Sequence, residues 1–227
     1  MAKRQLRTRL CDMLGIDYPI ISAGMGPTLI GEPNGAPVEL VVAVSEAGGL
    51  GVLGGAGFNL KELRTAIQEI KAKTSKPFGV DLLLPKNLPE GTMSNDEMPL
   101  TEVLKLMPEK YRIWFAKVKE ELGLPDTELT VRTDTTTMRP KEAIDIILEE
   151  KVPLFCAGLG NPGFMVAQAH SQGMKVLGIT GNARNAKRMA ESGVDLVVAQ
   201  GHEGGGHTGR IGTMALLPQA IDAAAPV

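Results

Sequence analysis

The sequence predicts an α/β fold with a parallel sheet, and three observations carry that prediction. Short apolar runs recur along the chain, each followed by a longer stretch of helical periodicity. Runs such as DLVVA at 195–199 and GVDLLL at 79–84 are nearly continuous in apolar residues, as strands buried on both faces must be. Between 60 and 73 the spacing is that of an outer helix: Leu60, Leu63, Ile67 and Ile70 share one face, while Lys61, Glu62, Glu69 and Lys71 face water.

In chain order, strands are predicted at Tyr18–Ala23, Gly51–Leu53, Phe78–Leu83, Pro153–Ala157, Lys175–Thr180 and Asp195–Ala199. The intervening helices are predicted at Val38–Glu46, Leu60–Lys73, Lys141–Glu150, Pro162–Gln172, Ala183–Ser192 and Thr213–Ala224. A long polar stretch at about 86–140 breaks the rhythm; it reads as a structural insertion rather than a lid, built on one helix over Leu100–Leu122. A (β/α)8 barrel takes about 250 residues and eight strands. The chain shows six βα units, and Pro226–Val227 reads as the start of a seventh strand. The expected architecture is therefore a single domain over 1–227, of TIM-barrel type and truncated after six units.

Composition narrows the function. An apolar fraction of 43% with 22% charged residues excludes disordered and fibrous classes. A net charge of −2, with no Lys/Arg stripe interleaved with aromatics, argues against a nucleic-acid partner. No stretch of 18 uncharged apolar residues offers a membrane span. Cys11 and Cys156 lie far apart, match no zinc spacing and read as reduced thiols, so a cytoplasmic location is expected. The basic opening MAKRQLRTRLCDMLG lacks a signal-peptide core and runs into the strand-like YPIISA, which disfavours a targeting segment.

Three glycine motifs compete for the chemistry. Gly49-Leu-Gly51-Val-Leu-Gly54 fits GxGxxG but falls inside a strand, where its amides cannot open a helix toward a pyrophosphate. Gly158-Leu-Gly160-Asn-Pro-Gly163 does lie between strand and helix, yet the acidic residue expected about 20 positions on is absent from LGITGN. It reads instead as a loop that lets a flat ligand approach backbone. The third is QGHEGGGHTG at 200–209. Its His202-Glu203 and His207 resemble a zinc-protease helix, but the histidines stand five apart rather than four, and three consecutive glycines make a helix improbable. No metal is expected there. A glycine-rich loop directly after a buried strand is where barrel chemistry belongs, with His207 as a general base beside a flat cofactor.

These residues resemble the nitronate monooxygenase family, FMN-dependent TIM-barrel enzymes once called 2-nitropropane dioxygenases. QGHEGGGHTG is similar to the family signature QGxEAGGHxG, shared with flavin-dependent enoyl-ACP reductases, and PIISAGMG, VSEAGGLGVLGGAG and FGVDLLLP fit as well. The resemblance implies FMN as cofactor and His207 as the base that takes the α-proton of a nitroalkane or positions an anionic nitronate. It implies that Gln200 and Gly205 contact FMN, with Gly201 and Gly206 as backbone neighbours and Met25 near the flavin ring. Asp81 stands where many members carry an FMN-binding asparagine. Gly24 replaces a proline and Gly204 an alanine.

The implied reaction is oxidative denitrification, with a nitronate or nitroalkane and O2 giving a carbonyl compound and nitrite; a homo-oligomer is left open. Two other readings stand beside it: an NAD(P)H-dependent flavin reductase acting on an enoyl thioester or quinone, and a non-catalytic remnant of the family. Because family members hold the FMN phosphate in loops after strands seven and eight, this polypeptide alone is expected to bind FMN weakly and to expose the edges of its first and sixth strands.

Overall fold

Five parallel strands frame the molecule: β1 (Gly51–Gly54), β2 (Phe78–Leu83), β5 (Leu154–Gly158), β6 (Lys175–Thr180) and β7 (Leu196–Ala199), hydrogen-bonded in that order. A computed structural model describes residues 6–26, 36–84, 97–125, 130–132 and 134–225. The helices are α1 (Arg9–Leu14), α2 (Val38–Glu46), α3 (Leu60–Lys73), α4 (Leu100–Leu106), α5 (Glu109–Glu121), α6 (Pro140–Glu149), α7 (Gly163–Ser171), α8 (Ala183–Glu191) and α9 (Thr213–Ala224). A second, antiparallel pair joins β3 (Glu97–Pro99) to β4 (Thr130–Arg132). Among the described residues no helix is long and apolar enough to cross a membrane.

Alternation along the strands sorts the core into two layers. Leu53, Val80, Leu82, Phe155, Ala157 and Val176 point to the helices, where they meet Leu63, Ile67 and Ile70 of α3 and Ile144 and Ile147 of α6. Leu50, Val52, Leu154, Cys156 and Leu177 point the other way and pack against Cys11, Leu14 and Ile16, so α1 and its exit turn close that side. Each fully buried Leu, Ile or Phe here contributes about 1.5–3 kcal/mol. The sheet thus has no solvent-facing side over most of its width, which explains its apolar runs.

Helix α3 begins with a capping box: Asn59 accepts from Glu62 N–H at 2.7 Å and Glu62 accepts from Asn59 N–H at 2.8 Å. Helix α2 lies so close to β1 that a Cβ on Gly51 would stand 2.1 Å from the Val41 carbonyl oxygen. Helix α9 packs Leu216, Ala220 and Ala224 against Ala186 of α8. Its other face carries Met214, Leu217 and Ile221, three and four residues apart and all exposed.

Several expectations are corrected. The strand expected at Tyr18–Ala23 is reduced to a bridge between Ile21 and Leu50. Leu50 N–H donates to Ile20 and Ser22 N–H to Leu50, but Val52 N–H then turns to the Ser22 hydroxyl at 3.0 Å, which ends the ladder. The sheet therefore holds five strands and this bridge rather than six strands. The single helix expected over Leu100–Leu122 is two, because Pro108 has no N–H to donate and holds Met107 extended at ψ 146. The β3–β4 pair and the six-residue α1 were not anticipated; α1 lies within the basic opening, ended by Gly15 at φ 68. Residues 85–96, 126–129 and 133 of the insertion, and the seventh-strand start at Pro226–Val227, lie outside the described residues.

A Gly51→Ala substitution should force α2 off β1 and lower the unfolding free energy by about 1–3 kcal/mol, read as a lower denaturant midpoint at unchanged slope. Gly205→Ala, where an added Cβ meets nothing within 4 Å, should leave the unfolding free energy within about 0.5 kcal/mol.

Candidate active site

The predicted site residues lie in the C-terminal half of β2, after β7 or, for Met25, after the Ile21–Leu50 bridge. They form two groups along this edge. Met25 and Asp81 belong to the β1–β2 side; Gln200, Gly201, Gly205, Gly206 and His207 follow β7, with β5 and β6 between the groups.

On the β1–β2 side, glycines let three segments meet through their backbones. A Cβ on Gly54 would stand 2.3 Å from Gly26 N and 2.6 Å from Met25 N, and one on Gly26 would stand 2.4 Å from the Ala56 carbonyl oxygen. Met25 is seated by this contact and by its carbonyl, which accepts from Ala36 N–H at 2.8 Å; its side chain remains exposed. A Cβ on Gly24 would lie 2.7 Å from Asp81 Cβ, so the glycine in place of proline is what makes room for Asp81. The floor of this corner is tied to the insertion's far end: the fully buried Thr136 donates its hydroxyl to the Gly55 carbonyl at 2.6 Å.

Asp81 pairs in register with Gly54 of β1 and Cys156 of β5. Burial pushes its carboxyl up to about 7. Cys156 is pushed well above the ordinary thiol range, by its own burial first and by Asp81 second.

Beyond β7 the loop folds back on itself. Gln200 N–H extends the sheet by donating to Thr180, while its side-chain amide donates to the Gly205 carbonyl at 2.8 Å. His202 N–H donates to Ile211 at 3.0 Å, closing the loop's neck. Gly181 and Gly209 pack face to face, a Cβ on either falling within 2.7 Å of the other's backbone. Gly206 at φ 72 turns the chain, and His207 follows it, exposed at the tip.

Glu203 is the residue that sequence reasoning missed. Helix α9 has no capping side chain of its own at Gly212. Glu203 reaches across the loop instead, accepting from Thr213 N–H at 2.9 Å and from its hydroxyl at 2.8 Å, with His202 Nδ1 3.2 Å away. Bonds from its own backbone N–H and then from Thr213 hold its carboxyl down at about 2. The contact spans ten residues, outside any local capping pattern, so only the folded loop reveals it.

A cavity of about 590 Å³ lies on the helix side of the sheet, between α2 and α3, lined by Val38, Glu39, Leu53, Phe58, Glu62 and Glu69 among others. None of the residues above lines it. The glycine-rich edge is favoured as the site because polar groups, close backbone approach and a half-buried acid converge there.

Comparison with known proteins agrees with the resemblance. The family model described as Nitronate monooxygenase matches residues 7–227. The chain is 32% identical to "Putative monooxygenase Rv1533" of Mycobacterium tuberculosis over 97% of its own length and 58% of that protein's. It is 30% identical to "Probable nitronate monooxygenase" of Staphylococcus haemolyticus over 94% of its length and 57% of the relative's. It superposes on FabK from Thermotoga maritima with a TM-score of 0.67 at 28% identity, covering 96% of this chain and 51% of that one. The chain thus spans somewhat more than half the length of the curated relatives it matches. Matched by the family model over almost its whole length, and carrying that family's glycine-histidine loop after β7, the chain belongs to the nitronate monooxygenase family.

Proposed function

We propose that the chain contributes the flavin-facing, base-carrying part of an FMN-dependent enzyme that oxidises alkyl nitronates or nitroalkanes to carbonyl compounds and nitrite. The observation that carries this reading is the loop after β7, pinned by Gln200 to Gly205 and by Glu203 to Thr213, with His207 at its tip on the edge where Asp81 lies.

The residues present suit such a cofactor. Gly201, Gly205 and Gly206 offer backbone that a planar ring can approach without Cβ interference, Gln200 and Asp81 offer polar side chains, and Met25 offers an exposed apolar wall. Bound flavin supplies the electron-transfer and O2 chemistry; the protein's part is to bind, orient and move one proton.

That proton is the substrate's. A neutral imidazole nitrogen can accept a proton, so His207 can take an α-proton from a neutral nitroalkane and, once cationic, hold the resulting nitronate by charge. Glu203 acts at a distance by holding the loop that aims His207. Because its carboxyl is held at about 2, its ionised form persists throughout neutral pH, and its hold on Thr213 weakens only as pH falls toward 2.

Three outcomes follow from this reading. His207→Asn should lower turnover of neutral nitroalkanes by about 10²–10⁴-fold while leaving flavin affinity and part of the nitronate activity; unchanged turnover would remove the base assignment. Glu203→Ala should lower kcat more than it raises KM, whereas wild-type activity should show no limb between pH 4 and 5 that Glu203→Gln abolishes. Nitronate turnover without nicotinamide supports this reaction, and rapid NAD(P)H oxidation in its place would support the flavin-reductase reading.

A further inference from the structure

Asp81 is a half-buried acid that the chemistry above leaves without a defined state. One of its oxygens, Oδ1, is shut off from solvent and has no hydrogen-bond partner among the described residues. The carboxyl lies on the sheet face away from the helices, since its neighbours Val80 and Leu82 point into the helical core. Around it the side chains are missing: Gly54 stands in register on β1, Gly24 presses on its Cβ, and a Cβ on Gly158 would stand 3.8 Å from Oδ1. Glycines thus stand on both flanking sides of a buried, unsatisfied oxygen. Such an atom wants a partner, and the described residues provide none.

The charge state follows from what faces it. From β5 the titratable neighbour is Cys156, held neutral by burial and by Asp81; from β1 and the segment before α2 the neighbours are Gly54 and Gly24. Among the described residues no cation offsets the desolvation of Asp81. An ionised carboxylate here would leave Oδ1 buried and unpaired, whereas the neutral acid offers one O–H donor and one carbonyl acceptor, the capacity of an amide.

We propose that Asp81 is carried as the neutral acid and donates its carboxyl hydrogen to the bound flavin, so that the site releases its ligand when this carboxyl ionises. The proposal rests on the flavin reading above and adds to it a pH limit on binding. Sign and window are set by the folded protein: an acid raised from 3.8 to about 7 favours the protonated site below pH 7 and penalises it above. Ligand and proton therefore bind together.

The test is FMN titration of the purified chain, followed by fluorescence quenching from pH 5.5 to 9, beside riboflavin, which has no phosphate to titrate. With only the neutral form binding, the wild-type Kd should rise about thirtyfold between pH 6 and 8.5 for both ligands. Asp81→Asn, which keeps a donor at every pH, should bind at pH 6 about as wild type does and lose the dependence. In the flavin-free protein, a 13C-labelled aspartate carboxyl should titrate near neutrality and vanish from that region in Asp81→Asn. A flat wild-type Kd with intact binding, or a parallel fall in wild type and Asp81→Asn, overturns the donor role and leaves the flavin reading standing. A carboxyl that titrates near pH 4 overturns the neutral acid whatever flavin does. Absence of FMN and riboflavin binding at every pH overturns both.

Discussion

Burial of the parallel sheet on both faces is the constraint on which the rest of the structure depends. Helices cover one face, and α1 with its exit turn covers the other, so Val52, Leu154, Cys156 and Leu177 are as hidden as Val80 and Phe155. Parallel strands also gather their outgoing loops at one edge, since each strand enters from a helix on the far side. What the sheet cannot bury is that edge. Chemistry collects there because it is where polar groups can meet a ligand without cutting into the core.

The glycines belong to the same logic. At Gly51 the missing side chain serves packing, letting α2 lie on β1. At Gly24, Gly26 and Gly54 it serves the edge, bringing three segments together beside Asp81. At Gly181 and Gly209 it lets the loop after β7 lie against the loop after β6. A half-buried acid, a pinned histidine-bearing loop and a glycine-lined surface are three consequences of one arrangement.

Much of this was legible in the sequence, and the reasons are specific. β2 at Phe78–Leu83, β6 at Lys175–Thr180, and helices α2, α3 and α9 fall where periodicity places them, because each is long enough for burial to impose its pattern. The Tyr18–Ala23 strand was lost to one hydroxyl, since Ser22 takes the Val52 N–H that a ladder carbonyl would need. The break at Pro108 was readable from proline chemistry, but the apolar spacing on both sides of it suggested continuity. α1 is too short for its period to be distinguished, and β3 and β4 are three residues each. At the site, the positions of Asp81, Gln200 and His207 could be read from motif and resemblance. Glu203 on Thr213 and the half-buried state of Asp81 depend on tertiary contacts that no local pattern encodes.

Hydrogen–deuterium exchange of the purified chain with and without saturating FMN tests the central claim most directly, because it asks where a ligand lands without requiring turnover. The account predicts added protection in the segments that end the strands: 22–26, 54–56, 81–84, 158–160 and 200–212. Protection confined to α2 and α3 around Val38, Phe58 and Glu62, with none in 200–212, would contradict it and move the site to the helix side of the sheet.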